Sequence, residues 1–82
     1  MLEIKLYGLR CKNCEEIVAL LDDVLPTIGI PYAVEKHYDF LEVMKLGFIS
    51  IPVLMINGET VAVGQVPTED ELREKIALII KG

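Results

Sequence analysis

The spacing of apolar residues changes along this chain, and the change determines where strands and helices can form. Leu2, Ile4 and Leu6 recur at every second position, which is the pattern of a strand with one buried face. After Cys11 the spacing becomes three and four, which places the apolar side chains on one face of a helix. These helix residues are Cys14, Ile17, Val18, Leu21, Val24 and Leu25. The chain therefore begins with a strand followed by a helix.

The middle of the chain carries weaker signals for one more strand and one more helix. Pro26 and Gly29 end the first helix, and the mixed polarity of 32–37 is typical of a strand at a sheet edge. Asp39 and Glu42, three residues apart, predict a capping box at the start of a short second helix.

The second half of the chain predicts a hairpin. The apolar run 51–56 suits a strand covered on both faces, and a second apolar run follows at 61–63. Asn57 and Gly58 lie between the two runs, and this dipeptide is a strong signal for a tight turn between antiparallel strands.

A capped amphipathic helix completes the pattern. Thr68 and Glu71 form a second capping-box signal, and an apolar stripe follows it. The stripe consists of Leu72, Ile76, Ile79 and Ile80. The predicted class is α/β with the order β-α-β-α-β-β-α. With 82 residues, we expect a single domain over 1–82 with one core.

Charge and hydropathy exclude several classes of function. Eight basic residues against thirteen acidic ones give a net charge of -5, and nucleic acids and anionic membranes both favour clustered Lys and Arg. No apolar stretch approaches the roughly 20 residues that span a bilayer, and no basic segment leads into an apolar one at the start. We expect a cytoplasmic, monomeric protein with neither nucleic acid nor membrane as partner.

Cys11 and Cys14 are the two cysteines of the chain, and their spacing points to chemistry. A bond between them closes too short a loop to add much stability. On a helix, residues three apart can form a disulfide in place. Cys11 would lie at the helix start, where free N–H groups stabilise a thiolate, which makes it the candidate nucleophile. Cys14 belongs to the apolar face and is the candidate buried, resolving thiol.

Two other interpretations of the cysteines remain open. They could be inert core and surface residues, or they could bind a metal. A structural zinc site needs four ligands, whereas the chain adds only His37 to the pair, so we expect no closed zinc site and no cofactor.

Segment 8–14, with the sequence Gly-Leu-Arg-Cys-Lys-Asn-Cys, resembles two families. One is the thioredoxin-like family. The other is the heavy-metal-associated domain of copper chaperones, whose motif has a methionine where this chain has Leu9. Two soft thiolates suit copper(I), so the motif alone leaves a copper-binding or redox-sensing module open. The copper-chaperone fold has the order β-α-β-β-α-β and ends on a strand. The predicted order therefore favours the thioredoxin-like family.

The resemblance is closest to the short thioredoxin-like or glutaredoxin-like proteins of bacteria and archaea. It implies a mixed four-stranded sheet with helices on both faces, and a dithiol-disulfide oxidoreductase that uses Cys11 and Cys14. It also implies that Pro52 follows a cis peptide bond and lies against the cysteine pair. The Ile51 backbone would then pair with an extended substrate segment. The implied partners are disulfides of proteins or small molecules, with a reductase or thiol as electron donor. The Trp that precedes the first cysteine of a typical thioredoxin motif, and the Pro between its cysteines, are both absent around Cys11 and Cys14. This difference leaves the choice of partner open.

Overall fold

Strands and helices follow the order that the hydrophobic spacing predicts. A computed structural model describes residues 1–8, 12–45, 47 and 50–81, apart from the side chain of Phe40. The elements are β1 (Leu2–Tyr7), α1 (Lys12–Val24), a short 3-10 helix (Leu25–Thr27), β2 (Tyr32–His37), α2 (Phe40–Lys45), β3 (Val53–Ile56), β4 (Glu59–Val63) and α3 (Glu69–Lys81).

The strands form a four-stranded mixed sheet in the order β2-β1-β3-β4. β1 pairs in parallel with β2, and it pairs antiparallel with β3 through its other edge. β3 and β4 form the antiparallel hairpin. β2 is an edge strand, as its mixed polarity predicts, and five of its six residues are exposed. The predicted mixed sheet is confirmed.

One face of the sheet carries the main core. Leu2, Ile4 and Leu6 point to this face because side chains alternate along a strand, and each is at most 3% exposed. Helices α1 and α3 cover the face with their apolar stripes. The buried cluster comprises Leu2, Ile4, Leu6, Ile17, Leu21, Val24, Leu25, Leu54, Ile56, Ala62, Leu72 and Ile76. The hydrophobic spacing in the sequence therefore located most of the core, but Ile80 of the predicted α3 stripe is 47% exposed.

The opposite face of the sheet meets α2 at one end. Tyr7 pairs with His37 across β1 and β2, and both side chains lie on the side away from Leu6. Glu42 of α2 contacts the His37 ring, with Nδ1 and Oε2 2.8 Å apart. Helices therefore lie on both faces, as the resemblance implies.

Two strand boundaries differ from the sequence prediction. β3 begins at Val53 instead of residue 51, because Val53 pairs with Tyr7 and β1 ends there. β4 begins at Glu59 instead of residue 61, because the tight turn brings Glu59 directly opposite Ile56. The predicted segments were correct, but their ends depend on where the partner strand stops.

The Asn57-Gly58 hairpin is confirmed. Asn57 and Gly58 have φ angles of 51° and 83°, the positive pair that a type I′ turn requires. The Asn57 side chain accepts a hydrogen bond from the Glu3 N–H at 2.8 Å, and the Asn57 N–H donates to the Glu3 carbonyl at 2.8 Å. The turn residue therefore also joins the hairpin to β1.

The capping prediction for α3 is confirmed, and the one for α2 is only half correct. The Thr68 N–H donates to Glu71 Oε1 and the Glu71 N–H donates to Thr68 Oγ1, both at 3.1 Å. At α2, Asp39 Oδ1 accepts from the Leu41 N–H at 2.9 Å. Glu42, however, bonds to a ring nitrogen of His37. A contact with His37 of β2 thus stands where the reciprocal half of that box was predicted.

The capping box of α3 leads to a pH-dependent prediction. The Thr68 backbone N–H, and then the Thr68 side chain, hold the pKa of Glu71 below its ordinary value of 4.5. A lowered pKa adds stability above the ordinary value, and this stability is lost as the pH falls through the folded-state pKa. We expect Glu71→Gln to lose less unfolding free energy than the wild type between about pH 6 and about pH 3. Urea unfolding at both pH values measures this.

Glu74→Gln is the matched control, since Glu74 is exposed on the same helix. It should follow the wild-type acid dependence. Equal acid dependence of Glu71→Gln and the wild type would show that the capping box contributes nothing that depends on Glu71 ionisation.

Candidate active site

Cys14 lies in the first turn of α1 and points into the protein. It is 1% exposed and shares the buried helix face with Ile17 and Leu21. The predicted burial of Cys14 is confirmed. Cys11 lies outside the described residues, and its assigned role remains a prediction.

The end of β1 brings Cys14 and Pro52 together at Gly8. A Cβ atom built on Gly8 would lie 2.7 Å from Cys14 Sγ and 3.5 Å from both Cα and Cβ of Pro52. Three segments that are distant in sequence therefore meet at one glycine: the end of β1, the start of α1 and the residue before β3. Two of the four predicted site residues, Cys14 and Pro52, are close in space.

Pro52 is buried, and its backbone is bonded to the residue that follows β4. Its carbonyl oxygen accepts a hydrogen bond from the Gly64 N–H at 2.7 Å, and the Ile51–Pro52 peptide bond is cis. Ile51 is half-buried, and its backbone takes part in no hydrogen bond within the described ranges. Ser50 is exposed and packs near Gly64, where a built Cβ would lie 3.0 Å from the Ser50 Cβ. The segment 50–52 therefore leads from an exposed serine through a half-buried isoleucine to a buried proline.

An aromatic and acidic cluster that the sequence did not predict lies next to this site. The rings of Tyr7 and His37 stack with centroids 4.8 Å apart and an angle of 18° between their planes. Besides Glu42 on Nδ1, the His37 ring has Glu35 Oε2 3.3 Å from Nε2. The His37 carbonyl accepts the Gly8 N–H at 2.9 Å. The sequence drew attention to His37 only as a possible zinc ligand, and the parallel register of β1 and β2 places it against Tyr7.

A surface cleft of about 260 Å³ opens between α1 and the edge strand β2. Both charged and apolar side chains line it, and the lining includes the buried cysteine. The lining residues are Cys14, Glu15, Val18, Lys36 and Tyr38. The Cys14 side chain therefore lies just beneath the surface on this side.

Two negative observations concern the described ranges 1–8, 12–45, 47 and 50–81. Within them, no three His, Cys, Asp or Glu side chains are grouped as a metal ion would require. No helix in the same ranges is long and apolar enough to cross a membrane.

The comparison with known proteins decides the family. A family model described as a thioredoxin domain matches residues 2–77. The chain belongs to the thioredoxin-domain family. Membership gives it a general thiol-disulfide redox function, that of an oxidoreductase acting on thiol substrates or redox partner proteins.

Two relatives illustrate the likeness of this thioredoxin domain to known proteins. It is 26% identical over 74 residues to a thioredoxin from Methanothermobacter thermautotrophicus, covering 90% of this chain and 96% of that protein. Its fold matches glutaredoxin 1 from Francisella tularensis, solved as a complex with cacodylate, with a TM-score of 0.55 and 15% identity. That match covers 100% of both chains. The predicted thioredoxin-like fold is confirmed.

Proposed function

We propose that this thioredoxin domain is a dithiol-disulfide oxidoreductase whose redox pair is Cys11 and Cys14. The observation that carries the proposal is the position of Cys14, whose buried sulfur lies at the start of α1 beside Gly8 and close to Pro52. α1 begins at Lys12, so in sequence Cys11 directly precedes the first helical residue. The N–H groups of a first helical turn have no partner within the helix and favour a negative charge nearby.

The reaction has two steps that conserve atoms and electrons. The Cys11 thiolate attacks one sulfur of a substrate disulfide, a mixed disulfide forms at Cys11, and the other substrate sulfur leaves as a thiolate. The Cys14 thiolate then attacks the Cys11 sulfur and expels the second substrate thiolate. Two electrons have moved to the substrate, and the cysteine pair is left as a disulfide. A thiol or reductase donor restores the dithiol.

Ile51 and Pro52 are proposed to position the substrate. A peptide that adds to a sheet edge needs unpaired backbone groups, and the Ile51 backbone has no partner within the described ranges. Pro52 is buried close to Cys14, so an extended peptide lying along 50–52 would bring its disulfide to the pair. Substrates of this kind are disulfides of proteins or of small molecules. We further propose that residues 1–82 act as one monomeric domain in the cytoplasm.

Reduction of insulin by dithiothreitol tests the function. The wild type should accelerate it, whereas Cys11→Ser should leave only the rate of dithiothreitol alone, since a serine hydroxyl does not ionise to a nucleophile at neutral pH. Unfolding in urea checks that the variant is folded. A Cys11→Ser variant that is as active as the wild type would overturn the assignment.

Anaerobic titration with copper(I) tests the alternative copper-binding function. Tight one-to-one binding that needs both thiols, in a protein that does not reduce insulin, would favour the copper-binding function over the oxidoreductase.

A further inference from the structure

We propose that Gly8 is a positioning residue for Cys14. Because Gly8 has no side chain, there is room at the end of β1 for the Cys14 sulfur close to Pro52. The steric part of this inference stands on geometry alone. Its consequence for the exchange reaction rests on the function proposed above.

The space at Gly8 is too small for a side chain while the Cys14 sulfur keeps its present position. Its built Cβ lies 2.7 Å from Cys14 Sγ, and contacts below 3.0 Å are essentially never made by real Cβ atoms. The same Cβ would be in ordinary contact with Pro52 at 3.5 Å. The sulfur and an alanine methyl group therefore cannot occupy their places together.

Backbone conformation does not explain the glycine at this position. The other described glycines, Gly29, Gly47, Gly58 and Gly64, all have positive φ angles between 72° and 83°. Gly8 lies outside that left-handed region, so its backbone is open to any L residue. Among the described residues, the Cys14 sulfur is the neighbour that a Cβ at position 8 would approach too closely.

Neither backbone on the two sides of the contact can move away easily. The Gly8 N–H is bonded to the His37 carbonyl at 2.9 Å, and the preceding Tyr7 pairs with both β2 and β3. Cys14 is part of α1, whose Ile17 is 0% exposed in the core. What remains is rotation of the Cys14 side chain about its single χ1 bond, which moves the sulfur out of its present position.

Moving this sulfur would slow the second exchange step. That step needs the Cys14 sulfur within attacking distance of the Cys11 sulfur, and a misplacement of about 1 Å can cost roughly a hundredfold in rate. The first step uses Cys11 and the substrate, so it should change little. Gly8 would thus affect how fast the mixed disulfide is resolved.

A double-mutant cycle tests the steric part. Gly8→Ala should lower the folding equilibrium constant by about fivefold or more, the effect of one extra methyl group in a packed site. In the Cys14→Ala background the sulfur is gone. In that background Gly8→Ala should leave the folding equilibrium constant unchanged or raise it by up to about fivefold, because alanine stabilises a position whose backbone tolerates it. Urea unfolding of the wild type, the two single variants and the double variant gives the coupling free energy between positions 8 and 14.

Gly29→Ala is the matched control. Gly29 has φ of 72° and no atom within 4 Å of a built Cβ, so its substitution strains the backbone without touching the sulfur. It should lower stability equally with Cys14 or Ala at position 14. If Gly8→Ala alone is too unstable to purify, recovery of folded protein in the Gly8→Ala/Cys14→Ala double variant supports the proposal. Equal losses of stability from Gly8→Ala with Cys14 or Ala at position 14 would overturn the proposal.

Single-turnover oxidation by glutathione disulfide tests the positioning role. After acid quenching and mass spectrometry, the mixed disulfide should persist about ten to a hundred times longer in Gly8→Ala than in the wild type. Gly29→Ala should match the wild type. The positioning role would be overturned if Gly8→Ala shows the steric coupling in unfolding while its mixed disulfide persists no longer than that of the wild type. A wild type that exchanges no disulfide would overturn the proposed function and this role together, and would leave the coupling in unfolding as a separate result.

Discussion

Cys14→Ser is expected to stop the proposed reaction at the mixed disulfide. Cys11 can still attack a substrate disulfide, but the serine hydroxyl is not ionised at neutral pH and cannot displace the bound sulfur. Incubation with an excess of a peptide disulfide should then convert nearly all of the variant to a covalent adduct. Mass spectrometry under non-reducing conditions should find the mass of one half of the peptide added to Cys11.

The reciprocal variant provides the control for this experiment. Cys11→Ser should form no adduct, because the remaining Cys14 is only 1% exposed. Dithiothreitol should release the peptide from Cys14→Ser and restore its original mass. An adduct on Cys14 in the Cys11→Ser variant would reverse the two roles, and the absence of any adduct in Cys14→Ser would contradict the mechanism.

Leu54→Ala is expected to destabilise the fold more than any surface change. Leu54 lies in β3 and is 0% exposed, within the cluster between the sheet and its two covering helices. A Leu→Ala change at such a site costs about 2–5 kcal/mol, because it removes buried apolar contact and leaves a cavity. For 82 residues the total unfolding free energy is about 4–12 kcal/mol, so this one substitution removes a large part of it. Urea unfolding measures the loss.

Leu78→Ala makes the same chemical change at an exposed position. Leu78 of α3 is 59% exposed and gives up little buried surface. Its effect should stay within about 0.5 kcal/mol, the usual range for a surface substitution. Similar losses for Leu54→Ala and Leu78→Ala would mean that β3 does not form the centre of the core.

Cys14 shows how much of the site could be predicted from the sequence. The helical spacing predicted the burial of Cys14, because the helix face depends only on residues of the same segment. The proximity of Cys14 to Pro52 came from the family resemblance, since nothing local joins residues so far apart. The His37 contacts with Tyr7 and Glu42 were not predicted at all. They need the parallel register of β1 and β2 together with the placement of α2.

The sequence by itself determined the order of strands and helices, the Asn57-Gly58 turn and the Thr68 and Glu71 cap of α3, because each depends on a few neighbouring residues. The tertiary structure decided that β1 lies between β2 and β3, that β3 starts only at Val53, and that Gly8 faces the Cys14 sulfur. These features arise from packing between distant segments, where the position of a whole strand or helix sets each distance. The pair Cys11 and Cys14 was visible in the sequence, whereas the glycine that makes room for one of its sulfurs became visible only in the fold.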